Sequence, residues 1–268
     1  MQSYARSFLN IVNGERFIFA NYFKKEVSGL KGNVKLAVFT NAVLAVLLLV
    51  VGLVCFLPQG VSTAGKLSDR VYYEGNRDGK YISLMFNVYW GEEYLPSILN
   101  SLDEYGVKAT FFIGGSWADK NTEHLREISR RGHELGNHGY FHKEQDKLSY
   151  QKNAEEIRVC GELVKSLCGV TPVLFAPPSG AYSANTVSAA ESLGYKVIMW
   201  SKDTIDWRDR DESLIYRRAT HNAAGGDLVL MHPTAETASA LPSVLQYYKE
   251  NGLEAVPVSA NISGIEKA

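Results

Sequence analysis

Residues 80–258 alternate between short apolar runs, typical of buried strands, and longer patterns typical of helices. Strict alternation of strand and helix predicts a parallel sheet with helices packed outside it. The strand candidates are Tyr81–Phe86, Ala109–Ile113, Glu134–Asn137, Leu174–Ala176, Lys196–Trp200, Asp227–Met231 and Ala255–Val258. Seven strands in about 180 residues predict an α/β fold of the distorted (β/α)7 barrel type, since a full barrel needs eight strands and more chain.

The N-terminal region contains an apolar run that carries no charge, over residues 36–57. At about 1.5 Å per residue this run is long enough for the hydrocarbon core of a bilayer, which is about 30 Å thick. A cleaved signal peptide is the alternative, because the small residues Ser62, Thr63 and Ala64 resemble a cleavage site. However, the run is longer than a signal h-region and begins far from the N-terminus, so we predict an uncleaved signal-anchor helix.

Charge and composition predict the location of the remaining segments. Six Lys and Arg residues lie between Arg6 and Lys35, against four that follow the apolar run closely. The positive-inside rule therefore predicts that residues 1–35 are cytoplasmic, in a single-pass protein of the cell membrane with an extracellular C-terminal domain. Glycines and mixed charges over residues 58–79 predict a linker, and residues 80–268 form the outer domain. The net charge of −1 provides no basis for binding nucleic acid.

Polar residues that follow the predicted strands are the candidates for chemistry, because parallel strands bring their carboxyl ends together. His138 and His142 have the i, i+4 spacing that places two imidazoles on one metal ion, although a structural histidine beside an exposed one has the same spacing. His232 follows the apolar run 228–231. Asp203 and Asp206 follow the preceding strand, and either could hold that imidazole in its acid form. Both aspartates also suit turns and helix caps.

In chain order these segments resemble the NodB-homology polysaccharide deacetylases, which are carbohydrate esterases of family 4. The resemblance covers residues 80–258. It depends on FFIG at 111–114, RGHELGNHGYFH at 131–142, FAPPSGAYS at 175–183, WSKDTIDW at 200–207 and LVLMH at 228–232. The resemblance implies the barrel fold of that family and removal of N-acetyl groups from an N-acetylated polysaccharide such as cell-wall peptidoglycan.

The family resemblance implies a role for individual residues. His138 and His142 match the histidines that bind a divalent metal, for which zinc is expected. His232 matches the general acid that protonates the leaving amine, and Asp203 matches the carboxylate that tunes this acid, with Asp206 as a further catalytic candidate.

The expected substrate-binding residues are Trp207, Trp90, Pro178 and Ser179. Trp207 matches the aromatic residue beside the acid, and the backbone N–H of Ser179 matches an oxyanion donor. A backbone donor of this kind does not depend on the side chain that carries it.

The first motif departs from the family pattern. Asn87 stands at the position of the catalytic base, and Val88 stands at the position of the third metal ligand. Asparagine cannot accept a proton near neutral pH, and valine has no lone pair for a cation. Ala176 replaces the arginine that supports the base in the family. The loss of the base and the loss of the arginine are consistent with each other, because an arginine facing a neutral Asn87 in a desolvated site would be an unpaired charge.

Two functions therefore remain open. An active deacetylase would need a replacement carboxylate as base or metal ligand, and Glu92 or Glu93 could provide it, although acidic residues also favour helix N-termini. A catalytically inactive glycan-binding protein of the same fold would need only the groove and the aromatic faces of Trp90 and Trp207. A scaffold that recruits partners is a third class, without a specific feature in its favour.

Overall fold

The computed structural model describes residues 35–49 and 67–265 of a chain that divides into two compact units, Met1–Ser62 and Thr63–Ala268. In the first unit, residues 35–49 form helix α1. Within the described ranges, no helix combines the length and the apolarity that crossing a membrane requires. Residues 1–34, residues 50–57 of the predicted membrane helix and residues 58–66 of the predicted linker lie outside the described part, so the anchor stays a prediction.

The second unit is an α/β domain with nine strands in its described residues, and every strand pairing is parallel. The sheet runs in the order β1-β6-β5-β4-β3-β2-β8-β7, and β9 pairs with the first residues of β2. The strands are β1 (Val71–Tyr72), β2 (Tyr81–Val88), β3 (Thr110–Ile113), β4 (Glu134–Asn137), β5 (Leu174–Phe175), β6 (Lys196–Ile198), β7 (Lys202–Asp203), β8 (Leu228–Met231) and β9 (Glu254–Ala255).

Helices connect most successive strands, as the alternating pattern predicts, but β1 and β2, and β6 and β7, are joined without a helix. The helices of this domain are α2 (Leu95–Glu104), α3 (Gly115–Lys120), α4 (Thr122–Arg130), α5 (Tyr150–Cys168), α6 (Ala184–Ser192), α7 (Asp206–Asp209), α8 (Glu212–Thr220), α9 (Ala235–Glu250) and α10 (Val258–Asn261). Polar residues fix where several of them begin: the side chains of Ser149, Ser183, Asp211 and Thr234 each accept a backbone N–H from the first turn of α5, α6, α8 and α9.

Each of the seven predicted strands overlaps a strand of the structure, although the last shares only Ala255 with β9, and β1 and β7 were not predicted. β7 consists of two charged residues, and β1 lies among the glycines and charges that predicted a linker, so neither has the pattern of a buried strand. β1 lies inside the predicted linker 58–79, where Val71 and Tyr72 are buried and pair with β6. The folded domain therefore begins before Lys80. The last predicted strand is also shorter than expected, because helix α10 begins at Val258.

The central strand β2 presents alternate residues to opposite faces of the sheet. Phe86 and Val88 belong to the core cluster that includes Leu99 of α2 and Leu241 of α9. Asn87 instead lines a cavity on the other face of the sheet. Successive side chains of a strand point to opposite faces, so Asn87 and Val88 cannot both face the cavity while β2 continues through Val88.

His133, just before β4, gives the domain a predictable dependence on pH. Its side chain is buried, and its Nδ1 accepts the backbone N–H of Ala109 at 3.2 Å. Burial lowers the pKa of His133 to about 4. The unfolded chain takes up a proton below about pH 6.5, whereas the folded chain does not until about pH 4. As the pH falls from about 6.5 to about 4, we therefore expect His133 to lower the free energy of unfolding by up to about 1.4 kcal/mol per pH unit.

Urea denaturation at about pH 7.5 and about pH 4.5 measures this effect, with His133→Leu as the comparison. The variant is expected to lose the part of the pH dependence that comes from this imidazole. Identical pH dependence of His133→Leu and the wild type would contradict the assignment.

Candidate active site

A cavity of about 400 Å³ lies at the carboxyl ends of the strands, where the sequence analysis expects the chemistry. It brings together most of the predicted site residues. Its lining consists of Asn87, Tyr89, His138, His142, Ser179, Trp200, Asp203, Trp207, Leu230 and His232. A more open cavity of about 540 Å³ between α8 and α9 contains none of the predicted site residues, so the chemistry is assigned to the first cavity.

His232 is held by the carboxylate of Asp206, which is completely buried. The Nδ1 of His232 lies 2.8 Å from Oδ1 of Asp206, and the backbone N–H of His232 donates to Oδ2 at 2.6 Å. The hydroxyl of Thr237 also donates to Oδ2, and the backbone N–H of Trp207 donates to Oδ1. Four donors therefore fix this carboxylate, and the carboxylate fixes the orientation of the imidazole.

The expectation that Asp203 is the partner of His232 is wrong. The carboxylate of Asp203 accepts the backbone N–H of Ile205 at 2.8 Å, and burial raises its pKa. Ile205 has a left-handed backbone with φ of 52°, which turns the chain so that Asp206 starts α7 beneath His232. Both aspartates follow the same predicted strand, Lys196–Trp200, so sequence spacing alone did not distinguish them.

His138 is a buried, neutral histidine at the end of β4. Its Nδ1 lies 2.7 Å from the carbonyl oxygen of Ala176, to which the neutral ring donates. Burial lowers the pKa of His138 to about 3. The tautomer that donates from Nδ1 leaves Nε2 as an acceptor.

Tyr89, which the sequence analysis did not select, covers His142. The two rings are stacked with centroids 3.5 Å apart and planes 23° apart. The Tyr89 ring centroid also lies 6.2 Å from that of His138, and the two histidine rings are 5.0 Å apart. His142 has a left-handed φ of 54°, and burial lowers its pKa. The aromatic ring of Tyr89 thus lies against the histidine pair.

Glu156 of α5, also missed from the sequence, supports the chain between the two histidines. Its Oε2 accepts the backbone N–H groups of Tyr140 and Phe141 at 3.1 and 2.8 Å, and Lys143 pairs with its Oε1 at 2.8 Å. The available signal was a charged residue on the buried face of α5, one position before the buried Ile157.

Comparison with known proteins identifies the family. A family model for polysaccharide deacetylase matches residues 74–198. The structure also resembles that of a CE4 family pseudoenzyme from Bacillus anthracis, with a TM-score of 0.70 and 33% sequence identity, covering 71% of this chain and 68% of that chain. This chain belongs to the polysaccharide deacetylase family.

Two curated relatives in this family are similar in sequence. The uncharacterized protein YlxY from Bacillus subtilis is 36% identical over 180 residues, which is 67% of this chain and 56% of YlxY. The peptidoglycan-N-acetylglucosamine deacetylase PgdA from Listeria monocytogenes is 31% identical over 183 residues, which is 68% of this chain and 39% of PgdA. The matched region therefore spans little more than half of one relative and less than half of the other.

The site residues of this chain do not fit the divalent metal that the family resemblance implies. The Val88 side chain packs in the core on the helix side of β2, so the third ligand position faces away from His138 and His142. The Tyr89 ring lies against His142. Within residues 35–49 and 67–265, no group of three or more His, Cys, Asp or Glu residues is arranged to hold a metal ion.

The proposed replacement carboxylates do not complete a metal site either. Glu92 accepts the indole N–H of Trp117 at 3.3 Å, and neither Glu92 nor Glu93 lines the cavity. Both belong to a short 3-10 turn that begins after Gly91, whose φ of 80° redirects the chain away from β2. The expectation that either glutamate provides the missing ligand is therefore wrong in this structure.

Asn87 occupies the base position but cannot act as a base. Its side chain is buried, and its Oδ1 has no hydrogen-bond partner among the described residues. Ala176 is also buried, and its carbonyl oxygen is taken by His138. The atom at the base position is thus a neutral acceptor that a ligand N–H or O–H could satisfy.

The remaining predicted substrate-binding residues differ in position. Trp90 is not among the residues that line the cavity, although its ring lies parallel to that of His232 with centroids 6.1 Å apart. Trp207 lines the cavity and is 51% exposed. Ser179 lines the cavity with a left-handed φ of 56°. Pro178 is buried and is not among the cavity residues, so it supports Ser179 rather than the ligand.

Proposed function

We propose that this protein binds N-acetylated peptidoglycan glycan in the cavity without hydrolysing it. In the same proposal, residues 36–57 anchor it in the cell membrane with this domain outside the cell. The observation that carries the proposal is the end of β2, where Val88 is in the core, Tyr89 covers His142 and Asn87 replaces the base. Support for the ligand comes from the relative that is named a peptidoglycan-N-acetylglucosamine deacetylase, and support for inactivity comes from the pseudoenzyme.

The cavity offers the contacts that an amino sugar needs. Trp207 presents an exposed ring on which a sugar face can pack. The unpartnered Oδ1 of Asn87 can accept a hydrogen bond from an acetamide N–H or a hydroxyl. His232, fixed by Asp206, provides a further polar group at the cavity wall. None of these contacts requires a metal ion.

Calorimetric titration of the full chain in detergent with an N-acetylglucosamine oligosaccharide tests the binding. We expect the same Kd with and without EDTA. Trp207→Ala is expected to raise Kd by about tenfold, because it removes the exposed aromatic face on which a sugar ring would pack. Tyr150→Ala, which removes an exposed ring outside the cavity, is the matched control and should leave Kd unchanged.

The intact pair of His232 and Asp206 favours the alternative function, an active deacetylase. Acetate release from the same oligosaccharide with added zinc distinguishes the two functions. We expect no release above that of a His232→Ala variant. Zinc-dependent release that this variant abolishes would overturn the proposal of an inactive binding protein, as would binding that EDTA eliminates.

A further inference from the structure

A groove of about 430 Å³ lies between β7 and α8 and carries an excess of positive charge. We call it the basic groove, and its lining residues are Lys202, Asp203, Arg217, Arg218 and His221. Asp203 also lines the cavity that contains His232, so the groove adjoins that cavity. A ligand that fills the cavity can therefore extend into the basic groove.

The cations of the basic groove differ in how far they are compensated. Arg218 donates to the carbonyl oxygen of Thr204 at 2.8 Å and pairs with Asp209, so its guanidinium is fixed. Lys202 donates to the carbonyl oxygen of His221 at 2.6 Å.

Arg217 is exposed, and within residues 67–265 its side chain has no ion pair or hydrogen bond. It is the cation of the groove that is free to bind an external anion. A guanidinium binds a carboxylate through two parallel hydrogen bonds, which a neutral sugar hydroxyl cannot match.

We propose that the basic groove binds a carboxylate carried by the glycan, next to the N-acetylated sugar in the cavity. The proposal rests on the proposed function, because the cavity must hold the neighbouring sugar. The negative charge of Asp203 would repel the carboxylate of the glycan from its own side of the groove. The carboxylate therefore binds on the α8 side of the groove, at Arg217. In a peptidoglycan strand from which the stem peptide has been removed, this group is the lactyl carboxylate of N-acetylmuramic acid.

The test compares two ligands of equal length on the full chain in detergent: a neutral N-acetylglucosamine oligosaccharide and a peptide-free peptidoglycan fragment in which N-acetylmuramic acid carries a free lactyl carboxylate. We expect the acidic fragment to bind about tenfold more tightly at low salt, and the difference to shrink as NaCl screens the exposed arginine. Arg217→Gln should remove the difference, and Arg217→Glu should reverse it, while both leave the Kd for the neutral oligosaccharide unchanged.

Lys165→Glu is the matched control for Arg217→Glu, because it makes the same charge change at an exposed position of α5 outside the cavity and the basic groove. It should preserve the preference for the acidic fragment. Inorganic phosphate is the second probe. An oxyanion site at Arg217 predicts that phosphate raises the Kd of the acidic fragment to that of the neutral oligosaccharide and leaves the Kd of the neutral oligosaccharide unchanged.

Three outcomes would count against these assignments. Equal affinity for both ligands in the wild type would overturn the basic-groove proposal and leave the proposed function standing. A preference that Arg217→Glu preserves would also overturn it. Failure of the wild type to bind either ligand would instead overturn the proposed function.

Discussion

Val88→Asp is expected to lower the free energy of unfolding by more than about 3 kcal/mol, because it places a carboxylate in an apolar core without a partner. Val88 is completely buried among side chains of β2, α2 and α9. Val88→Ala only removes apolar contacts, so its expected cost is roughly 2 kcal/mol. Urea denaturation followed by circular dichroism measures both variants against the wild type.

This experiment also tests whether the metal site can be rebuilt by restoring the family residue. If position 88 faced the histidines, the Val88→Asp variant would keep its stability and gain affinity for zinc through His138 and His142. That result would show that the end of β2 differs from the arrangement described above. The expected result is a destabilised variant with no gain in zinc affinity, because the new carboxylate would lie on the helix side of the sheet.

Asp206→Ala is expected to destabilise the domain by about 3–5 kcal/mol, since it leaves several buried donors unsatisfied. The donors are the imidazole and backbone N–H of His232, the hydroxyl of Thr237 and the backbone N–H of Trp207. Asp206→Asn keeps the shape of the side chain and should cost less than Asp206→Ala. The measurement is again urea denaturation.

Asp203→Ala is the matched control for that prediction. Asp203 is only half-buried and accepts one hydrogen bond, from Ile205, so its loss should cost no more than about 1 kcal/mol. An Asp203→Ala variant that is as unstable as Asp206→Ala would show that the two aspartates have exchanged roles. A stable Asp206→Ala variant would contradict the buried hydrogen-bond network.

Seven of the nine strands along the chain and the location of the cavity could be predicted from the sequence, because both follow from the alternation of apolar and helical patterns. The environment of Val88 and Tyr89 could not. A motif match shows which residues correspond along the chain. It does not show which face of β2 each residue occupies or where the strand ends. The choice between Asp203 and Asp206 likewise depends on the left-handed conformation of Ile205, which no sequence rule predicts for an isoleucine.

The buried carboxylate of Asp206 gives the acid half of the site a structural role that does not depend on turnover. Its hydrogen bonds join α7, the segment after β8 and helix α9, so the acid half of the site is also part of the framework of the domain. Asn87 has no comparable role, because its Oδ1 bonds to nothing among the described residues. Substitution of Asn87 is therefore expected to cost little stability, whereas substitution of Asp206 is expected to destabilise the domain. The resemblance of His232 and Asp206 to a working acid is therefore a poor indicator of turnover.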